Sequence, residues 1–261
     1  MIDASLVAPD VAPLLWHGSL PPLGPELAAS GFELLVPCNR EPYLSPRLFP
    51  KVEVLHCPLP DEGGLSDRDV RLACGTAEKL AELHAERAEK RAANLRYATA
   101  RAENAAAFVN QARLARRDQA AAEVEALRDA VAQAHAHPAS RLPLGWSPEQ
   151  RPLTARLGDV ARSAIVRTRR RPVTPEEHLV LGWAALRAAE GRRLLVACLQ
   201  GAGLVCALTL HVLTGRPGTS CAQLVRRARE GALTNADMLE RLAALPARRV
   251  HAVPNPRKHA G

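Results

Sequence analysis

Residues 194–213 form an uncharged run of twenty. Such a run can cross a bilayer as one helix, or fold in water as a buried strand, a tight turn and a buried helix. Gln200, Gly201 and Gly203 stand together near its middle, where a turn would fall and where a spanning helix would be weakest. Nothing else in the chain is membrane-like. The expectation is therefore strand, glycine turn and helix, with no membrane partner.

Composition says what such an element can be buried in. The chain has 261 residues, 47% hydrophobic and only 3% aromatic. A sizeable core built from Leu, Val and Ala follows, and wholesale disorder is excluded. Lys plus Arg number 35 against 27 Asp plus Glu, a net charge of +8. That balance suits an acidic partner without identifying one. Cys38, Cys57, Cys74, Cys198, Cys206 and Cys221 include no CxxC pair. Neither a zinc site nor a thioredoxin-type motif is expected, and the reading includes no metal and no cofactor. Free, mostly buried thiols point to a reducing compartment. Residues 1–16 lack a basic stretch ahead of their apolar residues, so no signal peptide is expected. The expected location is cytoplasmic, or a virion if the chain is phage-encoded.

Along the chain, residues 14–16, 32–36 and 52–57 read as short strands, and 25–31 as a short helix ending at a glycine. Strand, helix and strand at this spacing argue for an α/β fold. The texture changes at Ser66, which with Asp69 forms a capping box. No proline occurs between Pro60 and Pro138, and the stretch is dense in strong helix formers. Two helices turning near 110–118 are expected. Their apolar stripe is thin, so they need a partner surface. Residues 138–175 read as a linker, in which seven arginines and one acid lie between 151 and 171. Thr174 and Glu177 then mark a helix start. A strand over 194–198 and helices over 203–213, 219–229 and 235–245 follow. The expected division is 1–83 and 174–248 as two parts of one α/β domain, 84–173 as a helical insertion with a basic linker, and 249–261 as a basic tail.

The chemistry concentrates at the strand end. Cys198 is followed by Leu199, Gln200, Gly201, Ala202, Gly203 and Leu204, a Gly-bearing loop feeding a helix. Loop amides and the helix dipole would point at one spot and form an anion cradle. The same field favours a thiolate nucleophile. The plainer reading of Cys198 is a small buried hydrophobe in a strand-end turn.

This segment resembles the signature loop of the cysteine-dependent dual-specificity protein phosphatases, His-Cys-x-x-Gly-x-x-Arg followed by Ser or Thr. The cysteine falls on Cys198 and the glycine on Gly201. Residues 15–19, 31–41, 52–61 and 225–235 resemble, in order, the opening strand, the second strand and its loop, the strand leading to the general-acid loop, and the closing helices of bacterial and phage members. The resemblance implies a central, mostly parallel sheet flanked by helices, here with an inserted α-helical arm. It implies Cys198 as the nucleophile position and Asp61 as the general-acid position.

The departures decide the functional expectation. Ala197 stands where the family has His, Leu204 where it has Arg, and Val205 where it has Ser or Thr. Arginine grips phosphate with a charge-assisted fork, and leucine donates nothing. Losing one preorganised donor of this class costs roughly 10²–10³ in rate, and a charged clamp at least that. Cys198 and Asp61 are thus expected to be vestigial. The protein is expected to be an inactive phosphatase-like component of a larger assembly, a virion or other multi-subunit particle, touching other chains through 84–173. Two alternatives stay open. An arginine among Arg167, Arg169, Arg170 and Arg171 would restore the clamp in an active phosphatase. Or the basic linker and tail would bind nucleic acid.

Overall fold

A computed structural model describes residues 3–19, 27, 31–39, 49, 52–111, 117–136, 173–190, 193–198 and 200–249. The chain forms two compact units, one of residues 1–86 with 193–261 and one of residues 87–192.

The first unit is built on a mixed five-stranded sheet. Its strands are β1 (Ala4–Ala8), β2 (Ala12–Gly18), β3 (Phe32–Pro37), β4 (Glu53–Val54) and β5 (Arg193–Ala197), in the spatial order β1-β2-β5-β3-β4. β1 runs antiparallel to β2, while β2, β5, β3 and β4 are parallel neighbours. The last strand in sequence thus occupies the middle of the sheet. Every residue of β5 is buried, which is why residues 194–197 read as a continuous apolar run rather than an alternating one. Its side chains still alternate between faces. Leu194 and Val196 enter one core with Leu15, Leu34 and Val36. Leu195 and Ala197 enter the other with Leu27, Phe32 and Phe49.

Two strand expectations change. β1 pairs Leu6 with Trp16 across a tight turn and was not anticipated. The strand expected over 52–57 is laddered only at Glu53–Val54. Beyond it the chain stays beside β3 through single bonds, with the N–H groups of Leu55 and Cys57 donating to Leu35 and Pro37 carbonyls and that of Leu59 to Cys38. Pro58 supplies no N–H of its own.

The described residues also form six helices: α1 (Asp67–Gln111), α2 (Arg117–Ala136), α3 (Pro175–Glu190), α4 (Gln200–Thr214), α5 (Gly218–Ala228) and α6 (Ala236–Ala243). The start of α1 is the expected capping box. The Ser66 N–H donates to Asp69 Oδ2 at 3.0 Å and the Asp69 N–H to Ser66 Oγ at 3.2 Å. Thr174 and Glu177 repeat the device before α3. At α6 the Asn235 side chain accepts from the Asp237 and Met238 N–H groups. α4 is apolar all round, so it is buried in the first core with Ala73, Ala77 and Leu80 of α1 and Val225 of α5. The uncharged run 194–213 is therefore strand and helix, and no helix among the described residues is long and apolar enough to cross a membrane.

The described residues of the second unit are helical. Leu95, Ala98 and Ala102 of α1 pack with Leu127 of α2 and Leu179 and Leu186 of α3. The sequence places α3 at the head of the second α/β block; its apolar stripe packs instead within the unit of residues 87–192. Gly182 permits this contact, because a Cβ there would lie 2.7 Å from Leu127 Cδ2 and 3.3 Å from Arg101 Cβ. Arg101 also donates to His178 Nδ1 at 2.9 Å.

Candidate functional site

The end of β5 is held by β2. The Cys198 N–H donates to the Gly18 carbonyl, and the Cys198 carbonyl accepts from Nε2–H of the fully buried His17 at 3.0 Å. Between those bonds Cys198 has φ of 152°, a conformation a non-glycine residue holds only when its surroundings fix it, at a cost of about 1–3 kcal/mol. Leu199 lies outside the described residues, and α4 begins at Gln200.

The cradle forms, and it holds a carboxylate of the same chain. The N–H groups of Gln200 and Gly201 donate to Asp61 Oδ1 at 3.1 and 3.2 Å. The Cys198 thiol donates to Oδ1 at 3.1 Å and Oδ2 at 3.0 Å. Asp61 itself is exposed, so its carboxylate closes the cradle from the solvent side. It also acts as a distant N-cap, satisfying two donors that α4 cannot satisfy internally.

Side-chain bonds fix the loop that carries Asp61. Asn235 Nδ2 donates to the carbonyls of Asp61 and Gly63 at 3.4 and 3.1 Å, and the Leu65 N–H donates to Asp237 Oδ2 at 2.6 Å. Gln200 braces the same segment. Its Oε1 accepts from the Thr234 N–H at 2.7 Å, and its Nε2 donates to Thr234 Oγ1 at 2.8 Å. The two glycines in the first turn of α4 serve close packing. A Cβ on Gly201 would lie 3.0 Å from Leu59 Cβ and 3.2 Å from the Cys38 carbonyl oxygen, and one on Gly203 would lie 2.8 Å from Leu233 Cγ.

Leu204 belongs to the core. It is 2% exposed and lines an apolar cleft of about 80 Å³ with Val70, Ala73, Cys74 and Leu208. Ala197, Ala202 and Val205 are also buried. Among the described residues no cationic side chain bonds the Asp61 carboxylate. Arg167, Arg169, Arg170 and Arg171 lie outside the described residues. Burial pushes the Cys38 and Cys206 thiols upward, so both stay protonated beneath the cradle. The hydrogen bond from Cys38, with a further contribution from Thr76, pulls the Cys57 thiol downward.

Two of the expected residues, Cys198 and Asp61, meet in space, together with the Gln200 and Gly201 amides. The sequence reading missed His17, Thr234, Asn235 and the bracing side chain of Gln200. Asn235 carried a local signal, a cap residue just ahead of an amphipathic helix. His17 carried none. Chemically, the arrangement presents two amides and a thiol to an anion, and that position is taken. Among the described residues no three His, Cys, Asp or Glu side chains are grouped to hold a metal ion. In comparisons with known proteins, no family model, curated protein or solved structure matches the chain.

Proposed function

We propose that this chain is a dual-specificity-phosphatase-like protein that no longer turns over phosphate esters and serves as an interaction or structural component of a larger assembly. The observation that carries the reading is the Asp61 carboxylate seated on the Gln200 and Gly201 amides and the Cys198 thiol. A thiol donating to a carboxylate carries its proton, and the protonated sulfur is the poor nucleophile. An incoming phosphate would have to displace a tethered anion, and among the described residues no cation bonds that anion to offset the repulsion. Leu204, packed among apolar side chains, supports the loss of the clamp.

The assembly part rests on the inserted helical arm and on the basic composition of the linker and tail, with seven arginines and one acid over residues 151–171. A virion is one such assembly. The test is turnover of an aryl phosphate by the full chain and by Cys198→Ser. No turnover is expected in either. Turnover by the natural chain that vanishes in Cys198→Ser overturns the reading.

A further inference from the structure

The first unit carries a second concave surface, on the far edge of its sheet. β1 is an edge strand, paired to β2 on one side, with no strand beyond it among the described residues. Along it runs an open groove of about 280 Å³ between β1, the turn after it and α5. Leu6, Val11 and Leu224 give the groove apolar walls, and Arg216 and Arg227 stand on its rim. A third arginine nearby, Arg229, is already used. It grips Asp3 with two bonds of 3.0 and 2.6 Å and holds that carboxyl down at about 2. Arg216 and Arg227 have no such acid; no hydrogen bond or ion pair engages either guanidinium among the described residues.

We infer that this groove docks an extended segment of a partner protein in which apolar residues alternate with acidic ones. The inference rests on the reading of the chain as an interaction component and names the kind of partner. An edge strand with free backbone groups accepts another strand. Alternate side chains of that strand fall on one face and would fill the apolar walls. Acids in the same segment would meet the two guanidinium forks. Asp10, also on the rim, keeps those acids toward α5. Nucleic acid fits less well. Residues 1–86 and 193–261 hold 16 Lys and Arg against 16 Asp and Glu, so the whole +8 lies in residues 87–192. A balanced unit has no long-range field for a polyanion. A second copy of the chain would bring another pair of arginines to the same groove.

The experiment is fluorescence anisotropy of the full chain with a short fluorescein-labelled peptide alternating valine and glutamate. Binding is expected, and Arg216→Glu with Arg227→Glu should weaken it by at least about tenfold. The same double variant should acquire binding to the peptide alternating valine and lysine. Both positions are exposed, and an unchanged melting temperature shows that the variant folds. Failure of the glutamate peptide to bind, or equal binding to the variant, overturns the proposal. So does displacement of the peptide by an oligothymidylate of matching length, which would make the surface a nucleic-acid site. Absent peptide binding without phosphatase turnover removes the groove alone. Turnover that depends on Cys198 removes the reading beneath it.

Discussion

The Cys198 thiol donates to both carboxylate oxygens of Asp61, at 3.1 and 3.0 Å, across 137 residues of chain. Two backbone amides converge on the same carboxylate. Asp61 thereby caps α4 and ties the loop after β4 to the strand end. Replacing a cap by alanine costs about 0.5–2 kcal/mol, and solvent exposure here places the effect near 1 kcal/mol. Asp61→Ala should lower the urea midpoint accordingly. Asp61→Asn keeps an oxygen for the amides and should cost less. Equal midpoints for all three proteins would mean that the carboxylate caps nothing.

Leu204 offers the sharpest test of the proposed loss of a clamp. If the loop needed only its arginine back, Leu204→Arg would restore phosphate binding. The side chain instead packs in the first core beside an apolar cleft. A guanidinium placed there is desolvated without a partner, a loss of at least about 2 kcal/mol. Leu204→Arg should therefore be destabilised in urea and silent toward an aryl phosphate, while Leu204→Met should cost under about 1.5 kcal/mol. A stable, active Leu204→Arg protein would show that the position faces the cradle.

In the helical unit, a side chain at Gly182 is expected to crowd Leu127 and Arg101. A Cβ would sit 2.7 Å from Leu127 Cδ2 and 3.3 Å from Arg101 Cβ. The helix propensity of alanine favours Gly182→Ala by about 1 kcal/mol, while overpacking costs about 1–3 kcal/mol. The net change should be a loss, read as a lower thermal midpoint. Pairing it with Leu127→Ala should recover part of the loss, because the two changes share one contact.

The legible parts of this fold are local. Ser66 and Asp69 sit three residues apart, and their reciprocal bonds could be read directly from the chain. β5 was legible because a strand buried on both faces needs no alternation. β1 was not, being a short apolar stretch whose strand character comes from pairing with β2. The partner of α3 was also hidden. An apolar stripe says that a helix is buried, not against which core, and Leu179 and Leu186 chose Leu95 and Leu127. At the site, the cysteine and its glycine loop were visible as a pattern. The carboxylate occupying the cradle was not, since nothing near Asp61 in sequence signals where its oxygens go. His17 fixes the Cys198 carbonyl from another strand, and no spacing rule reaches that far.

Acid should weaken the protein through His84 of α1. The side chain is 5% exposed, and its Nε2 has no hydrogen-bond partner among the described residues. Burial pulls its pKa from 6.5 to about 4. Above pH 6.5 the residue is neutral in both the folded and the unfolded chain and contributes no pH dependence. As pH falls from 6.5 toward 4 the unfolded chain takes up a proton that the folded chain refuses, so stability falls. Below about 4 both states are charged and this contribution levels off. A shift of that size corresponds to about 3 kcal/mol at full development. Carboxylates titrate in the lower part of the same range, so the comparison must be with His84→Leu, which keeps them and removes the imidazole. Urea midpoints measured between pH 7 and pH 4 should fall more steeply for the natural chain than for the variant. Parallel slopes would mean that His84 finds water or a partner and is not held neutral by the core.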